Sequence, residues 1–389
     1  MKFANLPIIT LLAVIGCSSN NFIQEEELIK SWSQGSAYKV IDSQCKLTDR
    51  FPSLLDSIRR IVTPSKDYSV RLSDSDGTQY SLGIGTPFRS KSDKEYPLVI
   101  YLHGGVGTTV DNKGERAYEM LSGLRDSLDL FLASPSANRF APWWTARGQK
   151  RILQTIRYMT LQYPIDKNKI FLSGVSDGAT GCYAAANSIN GPFAGFFAIS
   201  GYGGMLPNLG IRISLENMKR RPIYNINAGN DRLYSLPIVE RFLDYLVQSG
   251  IPLERKIYPE EQHGFDYREK EVPALVERIR SWSKPEEQSF NWELIDGLPN
   301  APEEIVDFEK QNSNQPAKLK VVVSGTELHI SAENLNSVQL IADSGLSMMA
   351  QDSQKASEFS FSKKILSNYH FFRLNLLQNS SVYSVQFRR

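Results

Sequence analysis

The pentapeptide Gly174-Val175-Ser176-Asp177-Gly178 constrains this chain more than any other stretch. An apolar run, residues 169–173, leads into it. A run of small residues with helical spacing, 179–188, leaves it. The order is strand, sharp turn, helix. A serine at the tip of such a turn keeps its hydroxyl clear of the sheet only if its neighbours lack side chains, and the two glycines meet that need. A serine hydroxyl is a weak nucleophile at neutral pH. It requires a base to take its proton and a further group to orient that base.

The surrounding pattern supplies a sheet. Residues 97–102 form a continuous apolar run of the kind buried on both faces. Similar runs follow at 128–133, 169–173, 195–200, 222–228 and 253–258, with helical stretches at 112–126, 149–163, 179–188, 238–249 and 271–282. This alternation predicts an α/β fold with a doubly wound, mostly parallel sheet. Upstream, residues 68–87 alternate around the turn Asp74-Ser75-Asp76-Gly77 and predict an antiparallel hairpin. Ligands on such sheets bind at the carboxyl ends of the strands, so one shared site is expected there.

Residues 68–284 resemble the α/β-hydrolase superfamily, with Gly174–Gly178 similar to its nucleophile elbow. Within it, the stretch most resembles esterases of the polyhydroxybutyrate depolymerase-like, feruloyl-esterase-like and acetyl-xylan-esterase-like group. Asp177 departs from the small residue or Met common after the serine, which weakens the subfamily assignment and not the triad. The chain has four histidines. His329 and His370 lie far downstream and His103 precedes a glycine loop. His263 follows the last apolar strand, where the family carries its base. The acid falls between serine and histidine in this fold. Asp231, in Asn227-Ala228-Gly229-Asn230-Asp231, lies at the mouth of the strand before; a cap on the following helix is its duller role. Asp244 and Asp266 are the rivals. The loop His103-Gly104-Gly105-Val106-Gly107 resembles the family's oxyanion loop. It implies backbone donors at Gly105, with Val106 next, and at Asp177, with His103 as organiser. No Gly-Lys-Ser/Thr follows to make it a phosphate loop.

The resemblance implies a serine carboxylic-ester hydrolase working without metal or other cofactor, and no His-Glu-x-x-His or Cys/His spacing argues otherwise. A peptidase of the prolyl-oligopeptidase type shares the triad but usually carries a large N-terminal propeller. A non-catalytic envelope lipoprotein has no need to keep all three residues. Trp143 and Trp144 are candidates for a wall stacking on a sugar or aromatic acyl group, with core packing the other reading. The loop from Gly201 to Met218 is a candidate lid or rim.

The ends read differently. Lys2 and the apolar residues 6–15, too short to span a bilayer comfortably, form a leader ending in Val14-Ile15-Gly16-Cys17. This resembles a bacterial lipobox, with residues 1–16 removed and Cys17 lipidated. Ser18 resembles the outer-membrane sorting pattern, on the periplasmic or surface face. Residues 17–66 read as a tether and packing segment, 67–284 as the catalytic domain, and 285–317 as a connector with little regular structure. In the connector, Phe290-Asn291-Trp292-Glu293-Leu294-Ile295 is expected to dock on a neighbour. Residues 318–389 read as a small all-β, sandwich-like appendage. Cys45 and Cys182 are expected to stay unpaired. A net charge of +2 gives no reason to expect nucleic acid or an anionic lipid surface as partner; the expected partners are a small-molecule or glycan-linked ester and, through Cys17, the membrane.

Overall fold

A computed structural model describes residues 67–89, 94–287, 289–300, 305–310, 315–324, 327–343, 347–349, 359–366, 369–376 and 382–388. The leader, Cys17, the tether and Cys45 lie outside these residues. The first eight strands are β1 (Tyr68–Ser73), β2 (Gln79–Gly85), β3 (Tyr96–Leu102), β4 (Phe131–Pro135), β5 (Ile165–Val175), β6 (Gly195–Ile199), β7 (Ile223–Ala228) and β8 (Leu253–Tyr258). They form one sheet in the order β1-β2-β4-β3-β5-β6-β7-β8. β2 runs antiparallel to both neighbours, and β3 to β8 are mutually parallel with β4. This is the α/β-hydrolase fold.

The period of two along each strand divides the core between two layers. On β3, Leu98, Ile100 and Leu102 face a cluster with helices α1 (Ala146–Gln162), α2 (Asp177–Ser188) and α3 (Leu236–Gln248), through Ile152, Ala179, Tyr183 and Leu243. Val99 and Tyr101 face the opposite cluster, which holds Leu275 and Ile279 of helix α4 (Val272–Ser281). A sheet covered on both sides has its ligand-accessible backbone only at its ends. Thr145 starts α1 by accepting from the Gly148 N–H at 3.2 Å, and Pro237 and Pro273 start α3 and α4, where a missing N–H costs nothing.

The expected helix at 112–126 is instead two 3-10 turns, Lys113–Glu115 and Ala117–Leu121, and one short helical turn, Leu124–Ser127. Side chains of the β4 end take over the backbone. Ser134 Oγ donates to the Gly114 carbonyl (2.5 Å) and accepts from the Tyr118 N–H (2.9 Å), while Ser136 Oγ accepts from the Gly114 N–H (2.8 Å). These bonds compete with an i to i−4 ladder and win.

The 285–317 connector, expected to hold little regular structure, contributes two short strands, β9 (Ser289–Glu293) and β10 (Ile305–Lys310). The strands that follow are β11 (Lys318–Ser324), β12 (Glu327–Glu333), β13 (Leu335–Asp343), β14 (Ser347–Met349), β15 (Phe359–Leu366), β16 (Tyr369–Leu376) and β17 (Val382–Arg388). They make two antiparallel sheets, β10-β13-β16-β15 and β14-β17-β12-β11-β9. β9 ties the second to the main body. Its Glu293 exchanges backbone bonds with the buried Asn217 side chain (2.8 and 2.7 Å), and Trp292 is buried. The short patch around Phe290 thus docks as a strand on β11 and against the main body.

Candidate active site

Ser176 stands between β5 and α2 with φ 55° and ψ −118°, a conformation a non-glycine residue rarely adopts. The surroundings hold it there. Its N–H donates to the Ile199 carbonyl at 2.9 Å, and its carbonyl accepts from Ala179 (2.9 Å) and Thr180 (3.2 Å). The flanking glycines are sterically obligatory. A Cβ on Gly174 meets the Gly178 carbonyl oxygen at 2.3 Å, and one on Gly178 meets the Leu102 carbonyl oxygen at 2.0 Å. The elbow closes on itself and on β3, and the strained serine is what remains exposed to a ligand.

Asp231 and His263 come from the loops after β7 and β8. Those loops are stitched together, with the Gly229 N–H on the Tyr258 carbonyl (2.7 Å) and the Asn230 N–H on the Glu261 carbonyl (2.9 Å). His263 Nδ1 lies 2.8 Å from Asp231 Oδ2, and His263 Nε2 lies 3.1 Å from Ser176 Oγ. The Asp231 carboxylate is buried, and its other oxygen accepts the N–H groups of Leu233 (2.8 Å) and Tyr234 (3.0 Å). One oxygen thus holds the imidazole and the other a turn at Leu233–Tyr234; that turn ends before α3 starts at Leu236, so Asp231 does not cap the helix. Asp244 pairs with Arg255 (2.6 Å) and Asp266 with Arg268 (2.7 Å), both exposed.

The glycine loop approaches the serine from β3. A Cβ on Gly104 would lie 3.1 Å from Ser176 Cβ, so any side chain there would crowd the serine. His103 is buried and neutral; burial pushes its imidazole down to about 4. Its Nδ1–H donates to the Gly104 carbonyl (2.8 Å) and its Nε2 accepts from the Ala137 N–H (3.0 Å), which fixes the tautomer. The Val106 N–H donates to Asp177 Oδ2 at 2.8 Å and so is already engaged, which leaves Gly105 the better-placed donor of the two. Asp177 begins α2, where a first-turn N–H has no acceptor within its helix.

Trp143 is not at the site surface. It is wholly buried, its indole N–H donates to the His103 carbonyl (2.8 Å), and its ring meets the His103 ring edge-on at 5.3 Å. A side chain without exposed surface cannot stack on a substrate; Trp143 buttresses the glycine loop. Trp144 is half-buried against the core and keeps some open surface. Tyr234 is a neighbour that no local pattern in the chain singles out. Its ring lies 5.6 Å from that of His263 and 5.9 Å from that of Tyr202. Burial raises its phenol, while the hydroxyls of Thr180 and Ser176 beside it pull the other way. Through Tyr202 the loop after β6 reaches this neighbourhood, and Gly201 packs against the Ser176 backbone.

No protein-family model matches the chain. A bifunctional acetylxylan esterase/xylanase of Neocallimastix patriciarum is 27% identical over 150 residues, which is 38% of this chain and 21% of that protein. The chain thus spans about a fifth of the length of this curated relative. Among solved structures, a thermostable esterase aligns over 56% of this chain and 63% of its own at 19% identity (TM-score 0.44). The fluorophosphonate-binding serine hydrolase F of Staphylococcus aureus aligns over 55% and 98% at 17% identity (TM-score 0.45). An acylaminoacyl peptidase of Pyrococcus horikoshii aligns over 57% and 43% at 15% identity (TM-score 0.46).

Proposed function

We propose that this chain is a serine hydrolase cleaving carboxylic esters through an acyl-enzyme on Ser176, with His263 as base and Asp231 as its orienter. The observation that carries the reading is the continuous relay Asp231 Oδ2, His263 Nδ1, His263 Nε2, Ser176 Oγ, at 2.8 and 3.1 Å. In the first half-reaction, His263 Nε2 takes the Ser176 proton as Oγ attacks the ester carbonyl carbon. The carbonyl π pair moves to oxygen and is received by the N–H groups of Gly105 and Asp177. The tetrahedral centre then expels the alcohol, which leaves with the proton from His263. In the second half-reaction, water attacks the acyl group by the same route and frees the acid. Asp231 keeps its negative charge throughout and stabilises the imidazolium.

An acyl ester on a small molecule or a glycan is the proposed substrate class. The partial sequence likeness to a protein named as an acetylxylan esterase supports the glycan-linked case. Trp144 is proposed as part of a substrate wall. Lipidation at Cys17 would place the enzyme at the bacterial envelope; several acyl chains, at roughly 0.8 kcal/mol per buried methylene, anchor durably. A panel of p-nitrophenyl acetate, longer p-nitrophenyl esters, acetylated xylan and an aminoacyl-naphthylamide tests the reading. Turnover of esters with the amide untouched is expected. Amide cleavage as fast as ester cleavage would favour a peptidase, and no turnover of any would remove the hydrolase reading.

A further inference from the structure

We propose that the Asp177 carboxylate and the Lys113 ammonium are positioning residues: together they clamp the Gly105–Val106 peptide and so aim the Gly105 N–H at the nascent oxyanion. The inference rests on the hydrolase reading and adds to it two side chains that do not touch the substrate.

Two successive peptide units form the loop beside Ser176. In the first, His103 Nδ1–H holds the Gly104 carbonyl (2.8 Å). A trans peptide carries its C=O and N–H in opposite directions, so the Gly105 N–H is turned away from His103. In the second, Lys113 Nζ holds the Gly105 carbonyl (2.5 Å), and Asp177 Oδ2 holds the Val106 N–H (2.8 Å). Each of the other carbonyl and N–H groups of these two units is bound, which leaves the Gly105 N–H for a ligand. Between the units Gly105 has φ +65°. Glycine enters that region almost as readily as its mirror image, so the residue does not choose its own conformation. Partners on both sides of the second peptide must choose it. Asp177 is well suited, because its own N–H is the other proposed donor. One residue thereby couples the two donors across two elements, β5–α2 and the loop after β3. The clamp groups bear opposite charges and so add no net charge beside the oxyanion. This gives Asp177, the departure from the usual small residue after the serine, a function.

Kinetics on p-nitrophenyl acetate test the clamp, paired with affinity for two probes: a trifluoromethyl ketone, whose serine adduct carries the oxyanion, and an unreactive amide isostere of the ester. Removing an oxyanion donor costs 10²- to 10³-fold. Asp177→Ala is therefore expected to lower kcat by about 10²-fold with KM within about threefold. The ketone should weaken in proportion and the isostere should not. Asp177→Asn, which retains an acceptor oxygen, is expected to recover most of the loss. Lys113→Met, at a half-buried side chain, is expected to lower kcat by about tenfold with the same split between probes. The clamp is overturned if both variants stay within twofold of wild type, if Asn is no better than Ala, or if the isostere weakens as much as the ketone. A wild type inert to every ester and unlabelled by fluorophosphonate would instead overturn the hydrolase reading, and the clamp with it.

Discussion

Asp231 uses its two oxygens for different neighbours, and this makes its replacement informative. In Asp231→Asn the amide oxygen can keep the Leu233 and Tyr234 N–H bonds while the NH₂ faces His263 Nδ1. The imidazole is then driven to carry its proton on Nε2, toward Ser176, where a base is needed. The expected result is a kcat about 10⁴ lower, with an unchanged fold and activity that rises with pH. Kinetics across pH check it; activity within a few-fold of wild type would move the acid elsewhere. His103 gives a pH dependence of stability. Its folded pKa, about 4, lies below the ordinary 6.5 because the ring is buried. Between those values the unfolded chain binds a proton the folded chain refuses. Its contribution is thus full above pH 6.5 and is lost as pH falls toward 4, at most about 3 kcal/mol. Thermal melts of wild type and His103→Asn from pH 7 to 4.5 should converge as pH falls; parallel curves would contradict this. At this scale the sequence was legible where chemistry restricts choice. With four histidines in the chain, the family resemblance, which implies a base after the last strand, singles out His263. Tyr234 and the side chain of Asp177 were not legible, since their contacts arise from loops meeting in space.

Elements with strong periodicity could be read closely. α1 and α3 begin a few residues before their expected starts because Thr145 and Pro237 set the first turn. The segment at 113–127 could not, since the serines that break its helix, Ser134 on β4 and Ser136 just past it, lie outside any local window. β9 and β10 escaped for a related reason: short polar strands gain their identity from partners, here β11 and β13. Asn217 is the device that joins β9 to the main body. It is buried and also donates to the Asn187 carbonyl (2.8 Å). Asn217→Ala strands the Glu293 N–H and C=O and the Asn187 carbonyl. A destabilisation of about 2–3 kcal/mol is expected from these unmet groups, read by chemical denaturation. A change under about 0.5 kcal/mol would mean that the docking of β9 does not depend on this side chain.

The whole molecule brings strand ends, not neighbouring residues, into one place. Ser176 after β5, Asp231 after β7 and His263 after β8 meet because parallel strands open their carboxyl ends on one edge of the sheet. The alternating pattern of strands and helices already implied that edge, and the family resemblance implied which residues along it form the candidate triad. The pattern could not reveal that Trp143 lies beneath the edge, because burial depends on how the glycine loop folds over it. The envelope address is a claim about the intact chain. Intact-mass analysis of the protein from bacterial membranes should find a diacylglyceryl-modified Cys17 at the N-terminus, and Cys17→Ser should release the protein; an unmodified terminus elsewhere would reject the anchor. The central claim is that Ser176 is the nucleophile. A fluorophosphonate followed by peptide mass spectrometry tests it directly. The account predicts a single adduct, on Ser176 in wild type and absent from Ser176→Ala, with kcat on p-nitrophenyl acetate lowered about 10⁴–10⁶-fold in that variant. An adduct on another serine, or a Ser176→Ala enzyme as active as wild type, would contradict it.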